Sequence, residues 1–268
     1  MIKLGYCINM SATATDILGI NTLDTLVENN FDYVEFPLAQ IMELDDKGFE
    51  AALKRLKSIG IPCEVCNNFF PAHIKLTGTN VSWAEIEGYL DKGIRRASEL
   101  GAKVIVFGSS GARNVEAGFD IADAVKQLAT MLEIASTKAA SYDICIAIES
   151  LNRAESNIIN NLTEGSYLAK LVNRPNVGNL ADYYHMAAEK ESVDVIKALA
   201  DGGTVFLHTH IADTINGRSF PLDKSRISAF IDVLKSIGYT GRVSVEGYST
   251  DFSNEIKLAK ETLGGLIT

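Results

Sequence analysis

Short apolar, β-branched runs alternate with longer amphipathic stretches along the whole chain. Eight such runs begin near Lys3, Tyr33, Ile61, Lys103, Ile144, Val177, Thr204 and Arg242. The stretches between them carry apolar residues at helical spacing, and several stop at glycine, a frequent residue just beyond a helix C-terminus. No Pro/Ser-rich linker or low-complexity segment interrupts the alternation. The pattern therefore predicts eight β–α units and no domain boundary.

The number of units separates two α/β architectures. Eight units in 268 residues average about 33 residues each, close to the roughly 30 that one βαβ unit needs. A doubly wound sheet usually has about five or six strands and a glycine-rich first turn, whereas the first turn here reads CINMSATAT. We therefore predict a single-domain (β/α)8 TIM barrel over residues 1–268. In that fold, catalytic groups lie at the C-terminal ends of the strands and in the loops that follow them.

Charge and hydropathy disfavour several classes of partner. The chain has 25 Lys and Arg against 34 Asp and Glu, a formal net charge of −9, which argues against nucleic acid or an anionic membrane. The first residues lack the apolar core of a signal peptide, and no window approaches the roughly 18 apolar residues of a membrane span. Four cysteines are too few for a disulfide scaffold. We expect a cytoplasmic protein, and whether it forms a homo-oligomer is left open.

Polar and ionisable residues end most of the predicted strands, where they would point into the barrel mouth. They are Glu35, Asn67, Asn68, Glu149, Asp182, His185, His208, His210 and Glu246. Burying carboxylates is costly unless a cation or hydrogen bonds compensate. Three oxygen ligands and one imidazole suit Mn²⁺, Mg²⁺ or Co²⁺, with Zn²⁺ as a further option. The spacing does not choose between the two histidines of the seventh strand, because alternate positions face the same side.

Two further motifs have competing interpretations. The loop FGSSGARNVEAGF follows the fourth strand, and its backbone N–H groups together with Arg113 could bind an anionic group of a substrate. The alternative is a tight loop in which Arg113 forms a structural salt bridge. Cys63 and Cys66 form a C-x-x-C, but an offset of three within a strand predicts opposite faces, which argues against a redox or zinc site.

Four elements of the sequence resemble the xylose-isomerase-like superfamily of sugar isomerases and epimerases. They are ESLNRAESNIIN (149–160), LADYYHM (180–186), HIADTINGRSFP (210–221) and VEGY (245–248). They are similar to that family's E-x-L-N-R-x-E, D-x-x-H, H-I-A-[DE] and final-strand Glu elements. The family includes ketose 3-epimerases, hydroxypyruvate isomerase, inosose isomerases and dehydratases, and endonuclease IV. The resemblance covers essentially the whole chain and implies the same barrel fold.

The resemblance also implies roles for individual residues. It makes Glu149, Asp182, His210 and Glu246 the metal ligands, because His210 is the histidine that precedes I-A-D. Glu149 and Glu246 would also form the acid/base pair. The expected contacts to substrate are Glu155, His185 and Arg218, with Asn67, Arg113 and His208 as further candidates. Two positions depart from the family pattern: Ser150 replaces a common Pro, and Arg218 lies later in its loop than in ketose 3-epimerases.

The implied function is metal-dependent isomerisation or epimerisation of a ketose, keto-polyol or sugar phosphate through an enediolate, with Mn²⁺ as the first choice of metal. The alternative is dehydration of an inosose or a dehydroshikimate-like keto acid by the same site. An endonuclease IV-like phosphodiesterase would need a multi-metal cluster and a DNA-binding face, and four histidines with a net charge of −9 argue against both. A non-catalytic sugar-binding module would be expected to lack a ligand, and all four are present.

Overall fold

The eight predicted strands form a closed parallel barrel in chain order. The computed structural model describes residues 1–215 and 217–267, so Asn216 of the 210–221 element lies outside the described residues. The strands are Lys3–Cys7 (β1), Tyr33–Pro37 (β2), Cys63–Asn67 (β3), Val104–Phe107 (β4), Cys145–Glu149 (β5), Val177–Asp182 (β6), Phe206–Ile211 (β7) and Arg242–Val245 (β8). Strand β8 pairs with β1 and closes the ring. The predicted (β/α)8 barrel is confirmed.

Helices connect the strands on the outside of the barrel. They are Leu23–Glu28 (α1), Leu38–Glu43 (α2), Asp46–Ile59 (α3), Trp83–Leu100 (α4), Ser110–Arg113 (α5), Ile121–Ala140 (α6), Leu162–Val172 (α7), Tyr183–Ala188 (α8), Asp194–Asp201 (α9), Lys224–Ser236 (α10) and Phe252–Ile267 (α11). Asp45 caps the start of α3 by accepting from the Gly48 N–H, and Gly60 ends it with a φ of 78°, a conformation that favours glycine. Among the described residues, no helix combines the length and apolarity that a membrane crossing requires.

The interior of the barrel has its own small apolar core. Tyr33, Val65, Val104, Val106, Ala147 and Leu180 form this core, separate from the larger one that includes the helices. A Cβ at Gly5 would lie 2.3 Å from the Tyr33 ring, so this glycine makes room for the tyrosine. Because side chains alternate along a strand, the next inward position after Tyr33, Ala147 and Leu180 is in each case a carboxylate near the C-terminal mouth.

The two cysteines of β3 do not lie as predicted. Val34 and Glu35 of β2 pair with Cys63 and Val65, so Glu64 is the extra residue of a bulge. Both thiols therefore face the outer core, and a hydrogen bond with Cys63, together with burial, raises the pKa of the Cys66 thiol. The prediction of opposite faces is wrong, because the bulge changes the alternation. In the described part of the chain both thiols are free.

Candidate active site

Four side chains from four consecutive strands converge at the C-terminal mouth of the barrel. Glu149 ends β5, Asp182 ends β6, His210 lies near the end of β7, and Glu246 directly follows β8. All four are buried, and one ligand atom from each lies within 4.8 Å of those of the others. The structure thus brings together the four residues that the family resemblance implied as metal ligands.

The donor set of this cluster fits a divalent cation. The His210 Nδ1 lies 2.9 Å from Glu149 Oε1 and 3.2 Å from Glu246 Oε2. Asp182 Oδ1 accepts from the Tyr184 N–H at 2.7 Å at the start of α8, whereas Oδ2 is buried and lacks a hydrogen-bond partner among the described residues. A buried carboxylate oxygen without a donor is costly. A cation would satisfy it, and three carboxylates with one imidazole suit Mn²⁺, Mg²⁺, Co²⁺ or Zn²⁺.

The field of the cluster favours positive charge at its centre. Burial works against a charged imidazole, but Glu35 and Glu246 outweigh it and raise the pKa of His210 well above its usual range. Burial raises the pKa of Glu149, and the hydrogen bond with His210 opposes that shift only in part. Burial would also raise the pKa of Glu246, but the positive charges of Arg218 and His210 outweigh burial and lower this pKa to about 2. The carboxylates that favour a proton on His210 would also favour a metal cation.

The segment after β7 brings Arg218 back over the cluster. Its Nη1 donates to Glu246 Oε2 at 2.5 Å, and its Nη2 lies 2.7 Å from His185 Nε2 and 3.5 Å from Glu155 Oε1. The guanidinium carbon lies 4.5 Å from the centroid of the Tyr184 ring, a cation–π contact that helps to hold the side chain in place. The late position of Arg218 in its loop therefore does not keep it from the site. It meets Glu155 and His185, the other two residues expected to contact substrate.

Asn152 is a site residue that the sequence reasoning did not single out. Its backbone N–H donates to His185 Nδ1 at 3.0 Å, and its side-chain amide donates to Glu155 Oε1 at 3.1 Å. It therefore positions two of the expected substrate contacts at once. The available signal was the asparagine within the E-x-L-N-R-x-E element.

Gly108 makes room for the Glu149 carboxylate. A Cβ at this position would lie 2.2 Å from Glu149 Oε2, which is inside any van der Waals contact. The glycine directly follows β4, in the loop whose sequence predicted a possible anion site. Because glycine has no side chain, the Glu149 carboxylate can occupy its place in the cluster.

A polar cavity of about 390 Å³ opens above the cluster, with Glu149 and Glu246 in its lining. Its walls include Asn9, Ser109, Glu155, Tyr184, Arg218 and Tyr248. Hydroxyl, amide, carboxylate and guanidinium groups in one cavity offer both donors and acceptors. Such a lining suits a small hydroxyl-rich molecule.

Arg113 does not reach this cavity. It is fully buried, and its guanidinium donates to the backbone carbonyls of Phe107, Glu149 and Ile159 at 3.2, 2.8 and 3.2 Å. The prediction that Arg113 contacts substrate is wrong, because all three of these acceptors belong to the protein backbone. Its role is structural, and in the part of the chain that the structure describes it is exerted through these carbonyls and not through the salt bridge of the alternative interpretation.

Asn67 and His208 are both buried, and neither belongs to the lining of the cavity. Asn67 donates to Asn9 Oδ1 at 2.9 Å, so it supports a residue of the cavity wall. His208 is fully buried, and its Nε2 lies 2.9 Å from Glu35 Oε2. The inclusion of His208 among the substrate contacts is therefore wrong, since its partner is a carboxylate inside the barrel. Its interpretation as a neighbour of the candidate ligand histidine agrees with the 4.9 Å between the ring centroids of His208 and His210.

The chain matches a known protein family over most of its length. Residues 23–267 match the family model described as xylose isomerase-like TIM barrel. An inosose isomerase of Bacillus licheniformis is 30% identical over 159 residues, which cover 53% of this chain and 54% of that protein. A ketose 3-epimerase of Arthrobacter globiformis is 28% identical over 113 residues, covering 42% and 38% respectively. The matches thus span about half the length of these curated relatives or less.

The fold also matches solved structures along its whole length. A D-psicose 3-epimerase crystallised in the presence of D-fructose superposes with a TM-score of 0.80 over 99% of both chains, at 19% sequence identity. At that identity the likeness establishes the barrel architecture alone.

Proposed function

The chain belongs to the xylose isomerase-like TIM barrel family, and from that premise we propose that it is a divalent-metal-dependent sugar isomerase or epimerase. The observation that carries the proposal is the convergence of Glu149, Asp182, His210 and Glu246 beneath a polar cavity. The relatives named inosose isomerase and ketose 3-epimerase support the same reaction class. The proposed substrate is a ketose, a keto-polyol or a phosphate of either.

The four clustered residues would hold the metal ion. When bound, a divalent cation would act as a Lewis acid that stabilises the negative charge developing on the carbonyl oxygen of the substrate. Mn²⁺ is the proposed ion, because carboxylates supply three of the four ligands and suit it well. Asp182 Oδ2 supports the assignment, since it is buried without a hydrogen-bond donor among the described residues.

Glu149 and Glu246 would form the acid/base pair. They come from β5 and from the end of β8, so they can approach a bound sugar from different sides. One carboxylate would remove the proton from the carbon next to the carbonyl, which leaves an enediolate. The other would return a proton to the opposite face of that carbon in an epimerisation, or to the neighbouring carbon in an isomerisation. One carboxylate gains the proton that the other loses, so the pair carries the same number of protons before and after the reaction.

Arg218, His185 and Glu155 would orient the substrate. Arg218 contacts both His185 and Glu155, and Arg218 and Glu155 line the cavity. All three carry hydrogen-bonding atoms that match sugar hydroxyls. Contacts that hold the reacting carbon near both carboxylates would lower the entropic part of the barrier.

A solvent-exchange experiment tests the proposal. The protein loaded with Mn²⁺ is incubated in heavy water with a panel of ketoses, inososes and their phosphates, and the products are examined by NMR. We expect turnover with deuterium at the carbon α to the carbonyl. Turnover without deuterium would contradict proton transfer through the solvent-exchangeable carboxylates. A rising enone absorbance would instead indicate dehydration, the alternative reaction of the same site.

A further inference from the structure

A second buried polar cluster lies beneath the four candidate ligands, inside the barrel. Glu35 of β2 is fully buried, with Oε1 3.0 Å from His210 Nε2 and Oε2 2.9 Å from His208 Nε2. Ser244 donates to Glu35 Oε2 at 2.6 Å, and Tyr33 lies 2.7 Å from Ser244 through its hydroxyl. Burying such a network is expensive, and apolar residues serve at many other inward positions of this barrel. Packing alone therefore does not account for Glu35.

The two ring nitrogens of His210 face different groups. Its Nδ1 faces Glu149 and Glu246, within the candidate metal cluster. Its Nε2 faces Glu35. An imidazole that binds a cation through one nitrogen carries its proton on the other, and the hydrogen bond of that second nitrogen selects the tautomer.

The partners of Glu35 restrict what its carboxylate can do. One oxygen is occupied by His208 and Ser244, which leaves the other for His210. A carboxylate offers acceptor sites only, so a hydrogen bond to it requires the proton of His210 on Nε2. The lone pair of Nδ1 is then directed at the cluster of carboxylates.

We propose that Glu35 is a positioning residue that holds His210 as the Nε2-protonated tautomer and thereby aims Nδ1 at the divalent cation. The inference rests on the proposed function, because it assumes that the cluster binds a cation. His208 and Ser244 hold the carboxylate of Glu35 in the orientation that this requires. Groups that support a metal-binding histidine in this way typically change metal affinity by about 10–100-fold.

Metal affinity in a Glu35→Gln variant tests the proposal. Glutamine has nearly the same shape, but one of its two terminal positions is an NH2 group. His208 and Ser244 both approach one position and His210 alone approaches the other, so the carbonyl oxygen should face the pair and the NH2 group should face His210 Nε2, which then cannot donate to it. Isothermal titration of the metal-free proteins with Mn²⁺ should give a Kd about 10–100-fold higher than in the unaltered chain. The matched control is Tyr33→Phe, which removes a hydroxyl from the far end of the same network and should leave the Kd unchanged. An unchanged Kd in Glu35→Gln overturns the proposal.

The tautomer can also be measured in the unaltered chain, which decides the question even if Glu35→Gln fails to fold. Nitrogen-15 spectra of labelled histidine, recorded with diamagnetic Zn²⁺, should show His210 protonated at Nε2. A proton at Nδ1 overturns the proposal. If the unaltered chain binds no Mn²⁺ or Zn²⁺, the proposed function fails and this inference fails with it. Metal binding that does not respond to Glu35→Gln overturns this inference alone.

Discussion

Asp182 and His210 are register partners on the neighbouring strands β6 and β7. Two residues that are distant in the chain therefore start from adjacent backbone positions at the same level of the barrel. Glu149 is the register partner of Leu180 on the other side of β6, and Glu246 directly follows β8. The side chains of both reach the Asp182–His210 pair. The parallel ring thus brings four candidate ligand atoms together from four strands.

Replacing Asp182 by Asn should weaken metal binding without unfolding the barrel. The change removes one charge from the cluster but keeps a side-chain oxygen that can cap α8, as Asp182 Oδ1 does. We expect the Kd for Mn²⁺ in isothermal titration to rise by about tenfold or more, with a melting temperature close to that of the unaltered chain. Asp120→Asn is the matched control, because Asp120 caps α6 in the same way. An equal loss of affinity in both variants would contradict the assignment of Asp182.

Replacing Glu246 by Gln should abolish turnover. The amide cannot take up a proton as the carboxylate would, and a positioned acid or base contributes about 10²–10⁴-fold to the rate. The loss should appear in kcat for whichever ketose the panel identifies, while circular dichroism shows a folded barrel. Glu87→Gln, on the exposed side of α4, controls for the loss of one negative charge. Appreciable residual activity in Glu246→Gln would show that the acid/base pair is misassigned.

Much of this site could be predicted from the sequence, because strand ends in a parallel barrel meet at one mouth. The alternation of strand-like and helix-like segments, together with the length of each β–α unit, was enough to place Glu149, Asp182 and Glu246 there. The partners of Glu35 were not predictable, since His208 and His210 are 173 and 175 residues away in the chain. The direction of Arg113 depends on which backbone carbonyls pack against a loop, and no local pattern encodes that.

The cysteines of β3 show a second limit of sequence reasoning. Their common face follows from a bulge that is visible only as a shift in pairing with β2. A period-two pattern assumes unbroken pairing, so a single extra residue is enough to reverse the prediction for every position beyond it.

Placing a methyl group at Gly108 should disable the site. In Gly108→Ala the new Cβ would lie 2.2 Å from Glu149 Oε2, so the carboxylate or the backbone of the loop must move. We expect turnover to fall by about 10²-fold, the effect of misplacing a reacting group by about 1 Å. Gly88→Ala in α4 is the matched control, because nothing lies within 4 Å of a Cβ there. That variant should keep full activity and gain up to about 1 kcal/mol of helix stability. Full activity in Gly108→Ala would contradict the close approach to Glu149.

The free energy of unfolding should depend on pH through Glu64, which lies at the N-terminal end of the barrel. This residue of the β3 bulge pairs with Lys3 Nζ and Arg242 Nε, each at 2.5 Å. Burial opposes ionisation, but the hydrogen bonds with Lys3 and Arg242 outweigh it and lower the pKa of Glu64. A carboxyl whose pKa is lower in the folded than in the unfolded chain stabilises the fold above its ordinary pKa. That stabilisation disappears as the pH falls through the folded value.

We therefore expect Glu64→Gln to lower the free energy of unfolding by about 1 kcal/mol at neutral pH. The difference from the unaltered chain should stay constant down to the ordinary glutamate pKa of 4.5 and shrink below it. Urea titrations at a series of pH values measure it directly. Because Glu64 is only partly buried, added salt should also reduce the difference at neutral pH. A difference that grows on acidification would mean that Lys3 and Arg242 do not stabilise the ionised carboxylate.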